Sequence, residues 1–386
     1  MSVTGANRVS ATVVIERAAF PQLLDALKTA RYKLLGPKLV NGAIVYEELA
    51  GAGELPAGWA EDQMPGVYKL KRRIDEALFG YTVGPHSWKK FLHPAVAVLW
   101  QATKNAKGFD LAAPPIRAQK LALLGVRPCD LHAISILDTV LGRGPYKDPV
   151  WAALRKGVFV LAVNCVEPGG TCFCASMNTG PRASFGFDIA LTEVVEAERH
   201  FFVATAGTER GSAMLEKTPH RPARPDELDR ADQLLANAAS KMGRKLDTTG
   251  LKELLYRNHE HPRWDNVAGR CLSCASCTMV CPTCFCTTVE DTTDVTGRHA
   301  ARVRKWDSCF TLAFSFIHGG PIRASVRARY RHWLTHKFAT WLDQFGTFGC
   351  VGCGRCITWC PAGIDVTEEI GAIRHTESAK SRKEAS

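Results

Sequence analysis

In the first 210 residues, short β-branched apolar runs alternate with stretches whose apolar residues recur at helical spacing. ATVVIE, GAIVYEEL, LALLGV, VFVLAVN, FDIALTEV and FFVATA predict strands. PQLLDALKTARY and CDLHAISILDTVL predict helices, with Asp130 placed to start the second. This alternation predicts an α/β domain on a doubly wound or related mixed sheet. Beyond Glu216 the pattern changes. Prolines at 219, 222 and 225 interrupt any regular element, and DELDRADQLLANAASKM, with its acidic first turn, and LKELLYRN predict helices. From there strand-like runs are scarce, and CFTLAFSFI and VRARYRHWLTHKFATWLDQF read as helices. The polar stretch after Ile370, ending AKSRKEAS, predicts a frayed tail. The pattern divides the chain into an α/β domain (1–215), a helical linker (216–265), a mainly helical domain (266–370) and a polar tail (371–386).

A length of 386 residues supports two or three domains, each with a core of its own. Hydrophobic residues make up 46% and charged ones 23%, a globular balance that excludes disordered and fibrous classes. No apolar run approaches the roughly 20 residues of a membrane-spanning helix. MSVTGANRVSATVVIERAAF has no basic n-region, apolar h-region or small-residue cleavage site. The expectation is a cytoplasmic protein without membrane insertion. In such a reducing compartment, 15 cysteines point to metal or redox chemistry rather than to disulfides.

Eleven of those 15 cysteines lie between Cys271 and Cys360, and their spacing is specific. Cys271, Cys274, Cys277 and Cys281-Pro282 form C-x2-C-x2-C-x3-C-P, and Cys350, Cys353, Cys356 and Cys360-Pro361 repeat it. Each run is a [4Fe-4S] ligand pattern, in which three thiolates two residues apart wrap one corner of a cubane and the fourth ligates the other cluster. The expected sets are Cys271, Cys274, Cys277 and Cys360, and Cys350, Cys353, Cys356 and Cys281. Four-cysteine zinc sites favour two C-x2-C pairs separated by a longer loop, which this spacing does not follow. The 68 residues from 282 to 349 read as helices rather than as the short β-containing connection of compact ferredoxins, so the arrangement resembles an α-helical ferredoxin domain. The fold class expected for the whole is α+β multidomain, an N-terminal α/β domain followed by an α-helical ferredoxin domain with two [4Fe-4S] clusters.

Cys129 follows LALLGV, Cys165 follows VFVLAVN, and Cys172 and Cys174 come shortly after. If both runs are parallel strands, the four thiols lie beyond their carboxyl ends, where open α/β sheets place their sites. Two readings stay open there, a third [4Fe-4S] cluster or buried free thiols. Cys284, Cys286 and Cys309 are expected to be inert or to support the clusters. G-x-G-x-x-G after a strand, G-x-x-x-x-G-K-[ST], G-x-S-x-G and H-E-x-x-H are all missing from the sequence. Clusters without a hydride-handling site make a relay, which needs a donor subunit and an acceptor subunit. Residues 298–337 carry nine Lys or Arg against Asp307 alone, so they supply +8 of the net charge of +11. That stretch reads as a solvated face, a potential-tuning charge or a docking surface for an acidic partner; nucleic acid, held by a zinc-stabilised fold, is the reading from another class.

GVRPCDLHAI, the NC…GTCFCASMNTGP run, CLSCASCTMVCPTCFCTTVEDTTD, WDSCF, RYRHW and GCVGCGRCITWCPAGIDVTEE together resemble the β subunit of cytoplasmic sulfhydrogenases, which are NAD(P)-linked [NiFe] hydrogenases. They are also similar to the A subunit of anaerobic sulfite reductase. The similarity runs from about residue 120 onward. It implies an iron-sulfur relay beside a flavin-containing, NAD(P)H-binding subunit, with catalysis in the hydrogenase small and large subunits or in a sulfite reductase catalytic subunit. Asn178 stands in SMNTGP where the resemblance leads one to expect glycine.

Overall fold

The structure is a computed structural model that describes residues 12–116 and 118–384. Along the chain run strands β1 (Val13–Glu16), β2 (Lys33–Val40) and β3 (Ala43–Glu48), then two hairpins, β4–β5 (Trp59–Met64, Val67–Arg72) and β6–β7 (Val96–Asn105, Gly108–Ala112). Next come β8 (Leu121–Val126), β9 (Phe159–Val163), β10 (Ile189–Val195), β11 (His200–Ala206) and β12 (Arg221–Pro222), and later β13 (Thr287–Thr293) and β14 (His299–Trp306). One eight-stranded sheet has the order β12-β1-β11-β10-β9-β8-β2-β3. Its centre is parallel, β2 with β8, β8 with β9 and β9 with β10, and its outer pairs are antiparallel. β8 and β9 are buried along their whole length, as strands covered on both faces must be.

The covering helices follow from their apolar spacing. Helix Phe20–Thr29 buries Phe20, Leu23, Leu24 and Leu27, one stripe at i, i+3, i+4 and i+7, against Ile15, Phe79, Phe159 and Phe202. Each such side chain contributes about 1.5–3 kcal/mol on burial. Helix Pro128–Gly142 packs Leu131, Ile134 and Leu137 on Leu121, Leu123 and Val160 of the sheet. Asp130 does not cap that helix: Arg127 is the flanking residue and Asp130 lies fully buried in the first turn, committed to a distant partner. The expected mixed sheet is present, as are the helices expected over 226–242 and 251–258, at Pro225–Ser240 and Leu251–Arg257. The first is no free linker. It lays Ala231 against Val14, Val194, Phe201 and Val203 of the sheet.

Three expectations for the second half are corrected. β13 and β14 pair with β6 and β7 in a four-stranded antiparallel sheet, so the region between the cysteine runs is not all helix and is stitched to residues 96–112. CFTLAFSFI forms a 3-10 turn, Ala313–Ser315, and a two-residue strand, because Cys309 and Phe310 turn inward while Leu312, Phe316 and Ile317 face out. The stretch read as a frayed tail continues the helix Val366–Glu384, anchored by buried Ile370 and Ile373 and by the Arg257–Glu377 ion pair. VRARYRHWLTHKFATWLDQF is helical as expected, with a π-helical stretch at His336–Thr340. Residues 1–11 of the stretch read as lacking a secretory leader, and Ala385 and Ser386 of the tail, lie outside the described residues. No helix among the described residues is long and apolar enough to cross a membrane.

Candidate metal centre

The two cysteine runs fold alike. Helix Arg263–Arg270 ends at Cys271; the chain then turns through Ser273 (φ 50°) and Ala275 (φ 65°) into the short helix Ser276–Met279, which carries Cys277. In the second run Gly352 (φ 64°) and Gly354 (φ 76°) hold the same two positions before helix Arg355–Thr358, which carries Cys356. In both, the amide of the third residue donates to the first cysteine's sulfur, Ser273 to Cys271 and Gly352 to Cys350, each at 3.4 Å. Left-handed residues at the third and fifth positions turn the three thiols toward one side. Glycine is required in the second run for space as well: a Cβ at 352 would lie 2.7 Å from the Phe173 carbonyl, and one at 354 would lie 2.5 Å from Thr171 O.

The thiols face two adjoining cavities. One is lined by Cys271, Cys274, Cys277 and Cys360, with Phe310, Tyr330 and Ile364 among its apolar walls. The other is lined by Cys281, Cys350, Cys353 and Cys356, with Phe173 and Phe338. Trp333, Cys356 and Val366 border both, so the cavities share a wall. The fourth cysteine of each run thus faces the triple of the other. Among the described residues, no three Cys, His, Asp or Glu side chains converge closely enough to hold a single metal ion. A triple of thiols with a fourth from the other run supplies the four ligands of a cubane. Burial pushes the Cys350 thiol up to about 12, so in the free protein it keeps its proton until a metal replaces it.

Cys281 is in a different electrostatic setting. The buried Lys337 ammonium donates to its sulfur at 3.3 Å, to Thr283 Oγ1 at 3.1 Å and to Gly349 O at 3.1 Å. A hydrogen bond from Cys284 and the Lys337 charge hold the Cys281 thiol well below its ordinary value. A second buried lysine, Lys89, donates to Cys284 O at 2.9 Å and stacks over Trp306. Cys286 is hydrogen-bonded by Cys309, which holds it down to about 7. Sequence reasoning missed Lys337 and Lys89 as individuals; Lys337 was one charge in a basic stretch.

The second run is bolted to the eight-stranded sheet. Arg355, between Cys353 and Cys356, makes a bidentate pair with Asp130 at 2.9 and 3.0 Å and donates to the carbonyls of Gly84 and His86. Thr358 Oγ1 meets Thr171 Oγ1 at 2.7 Å and Gln63 Oε1 at 3.2 Å. Nothing in the sequence pairs these residues, although an arginine inside a cysteine loop is itself an unusual choice. Cys129, Cys165, Cys172 and Cys174 are all buried beyond the carboxyl ends of β8 and β9, and Cys172 Sγ lies 3.7 Å from Cys353 O. Asn178 takes φ 55°, a left-handed conformation that asparagine tolerates, so the loop keeps the shape a glycine would give it.

The basic stretch is partly neutralised by the rest of the chain. Arg302 pairs with Asp291, Arg304 with Asp148, Lys305 with Glu290, Arg327 with Glu260 and Asp265, and Arg331 with Glu260. Arg329 is buried and donates to the carbonyls of Arg323 and Ala324. Five of the nine cations are thus paired with acids that lie outside the stretch.

A mixed α/β body joined to a pair of cysteine-lined cavities defines an iron-sulfur protein of the two-cluster kind, and residues 270–364 match the family model of the 4Fe-4S dicluster domain. The chain is 33% identical over 261 residues to Sulfhydrogenase 2 subunit beta of Pyrococcus furiosus, a match covering 66% of this chain and 74% of that relative. It belongs to the sulfhydrogenase β-subunit family. No solved structure matches it.

Proposed function

We propose that the chain is the iron-sulfur electron-transfer subunit of a cytoplasmic [NiFe] hydrogenase complex of the sulfhydrogenase type. It relays electrons between a flavin-containing, NAD(P)H-binding subunit and the hydrogenase small and large subunits. One cluster is held by Cys271, Cys274, Cys277 and Cys360, the other by Cys350, Cys353, Cys356 and Cys281, both within residues 266–370. The observation that carries this reading is that Cys360 lines the cavity of Cys271, Cys274 and Cys277 while Cys281 lines that of Cys350, Cys353 and Cys356, with Cys356 on the wall the two share. A [4Fe-4S] cluster supplies reversible one-electron transfer when bound. The chain's own residues do the rest. Phe310, Tyr330 and Trp333 keep water from the first cavity, and Lys337 sets the charge beside the second. Exposed Cys274, with Leu272 at 67% exposure, opens the first cavity to the surface, where a partner's redox centre can approach.

Anaerobic purification of the native complex tests this. The expected result is a brown chain, bleached by reductant, that co-purifies with a flavoprotein reducible by NADH or NADPH and with hydrogen-oxidising subunits. A sulfite-reducing catalytic subunit in their place would move the chain to the anaerobic sulfite reductase A role. A colourless, zinc-containing chain that binds nucleic acid would overturn the reading.

A further inference from the structure

Cys129, Cys165, Cys172 and Cys174 lie outside the dicluster match at 270–364 and serve neither of its cavities. They are gathered from three places. Cys129 lies in the first turn of the helix after β8, Cys165 follows β9 with Asn164 between, and Cys172 and Cys174 sit in the loop beyond it. Because β8 and β9 are adjacent and parallel, their carboxyl ends bring these segments together. Cys129, Cys172 and Cys174 pack in one buried cluster, which Cys353 of the second run joins. Cys129, Cys165, Cys172 and Cys174 are each at most 8% exposed. Gly180 leaves room for one of them, since a Cβ there would lie 2.9 Å from Cys174 Sγ.

A second observation points to an anion at this place. Arg127, at the end of β8, is 1% exposed. Its guanidinium donates to the carbonyls of Asn164, Phe79 and Tyr81 and to the thiol of Cys165. Among the described residues, no carboxylate forms an ion pair with it; nearby Asp130 is taken by Arg355 in a bidentate pair. A buried cation satisfied only by neutral acceptors is costly, and proteins pair such charges. Four thiolates holding a cubane would carry net negative charge beside it.

We infer that Cys129, Cys165, Cys172 and Cys174 hold a third [4Fe-4S] cluster, with Arg127 as its counter-cation. Its loading replaces four thiol protons with four iron-sulfur bonds. Its neighbour is the cluster assigned to Cys350, Cys353, Cys356 and Cys281. Phe173 N donates to Gly352 O at 2.8 Å and Thr179 Oγ1 to Val351 O at 2.6 Å, so the loop carrying Cys172 and Cys174 is hydrogen-bonded to the turn carrying Cys350 and Cys353. One electron passing between these neighbours oxidises one cluster from 1+ to 2+ and reduces the other from 2+ to 1+, with no proton required. The three centres then form a line from the sheet edge to the exposed Cys274 loop. The order of that line rests on the two-cluster reading above, but the third site itself does not.

Iron and acid-labile sulfide, measured on the anaerobically reconstituted full chain, test the inference. Two clusters bring about eight irons per chain and three about twelve. The expected count is about twelve, falling by about four in Cys129→Ser/Cys172→Ser while the reduced-state EPR signals of the C-terminal pair persist. Arg127→Met keeps all four thiols. It is expected to shift the potential of a single signal to more negative values, the readout to use if the double variant does not fold. About eight irons in the wild type, unchanged in the double variant, would overturn the third site. So would loss of the extra four irons only on replacing Cys284, Cys286 and Cys309. No iron at all would instead reject the two-cluster reading.

Discussion

Arg355 and Asp130, 225 residues apart in sequence, form a bidentate ion pair in which both side chains are at most 1% exposed. The pair ties the loop between Cys353 and Cys356 to the first turn of the helix after β8, and Tyr46 adds a hydrogen bond to Asp130 at 3.3 Å. Its contribution is asymmetric: the two charges offset each other's desolvation, but removing one strands the other. Asp130→Asn is expected to cost about 3–5 kcal/mol in urea denaturation of the loaded protein, while Asp130→Leu/Arg355→Met together cost less than either single change. Single variants within about 1 kcal/mol of wild type would show that water reaches the pair.

Lys337 offers a direct handle on one centre. Its ammonium reaches Cys281 Sγ at 3.3 Å and is buried with it. A positive charge and an N–H donor at a ligating sulfur favour the reduced, more negative cluster. Lys337→Met is expected to lower the potential of one of the two C-terminal clusters by roughly 60 mV, a tenfold change for one electron. An EPR-monitored redox titration reads it. Equal shifts in both signals would mean that Lys337 acts through general charge rather than through Cys281.

Glu227 sets an acid limit on stability. Its side chain is 1% exposed and accepts from Arg221 at 2.7 and 2.8 Å, from the Arg224 amide at 3.0 Å and from Arg199. These bonds, led by Arg221, hold its carboxyl far below the usual range. A depressed folded value means the stabilisation is present above the unfolded value of about 4.3 and is lost as pH falls from there toward the folded value. Glu227→Gln is expected to cost about 1–3 kcal/mol at pH 7, with the difference from wild type shrinking below about pH 4. Thermal melts across pH 3–8 check this. A constant difference over the whole range would place the loss in packing rather than charge.

What the sequence conveyed depended on how local each signal was. LALLGV and VFVLAVN were readable as strands because burial on both faces leaves an unbroken apolar run. The two cysteine runs were readable because their spacing is itself the geometry of the loop. β13 and β14 were not: the TTVEDTT strand is half-buried at its first two residues and exposed over the rest, so no two-residue apolar alternation marks it. CFTLAFSFI misled because its apolar residues divide between the core and an exposed surface, a spacing that imitates a helix. The Arg355–Asp130 pair and the Lys337–Cys281 contact join residues 225 and 56 positions apart, and nothing in a single sequence couples them.

The last prediction concerns which thiols share a cluster. After helix Arg355–Thr358 the chain turns through Cys360 and Pro361, and Cys360, Pro361 and Ala362 line the cavity of the first run's triple. After helix Ser276–Met279, Cys281 and Pro282 likewise line the cavity of the second. The proline after each fourth cysteine fixes the turn that carries the thiol away from its own run. Cys360→Ala is therefore expected to lose the cluster held by Cys271, Cys274 and Cys277, and Cys281→Ala the one held by Cys350, Cys353 and Cys356. Cys277→Ala/Cys360→Ala distinguishes the two pairings. If those thiols share a cluster, one C-terminal EPR signal survives the double change; loss of both signals would mean that each run keeps its own fourth cysteine.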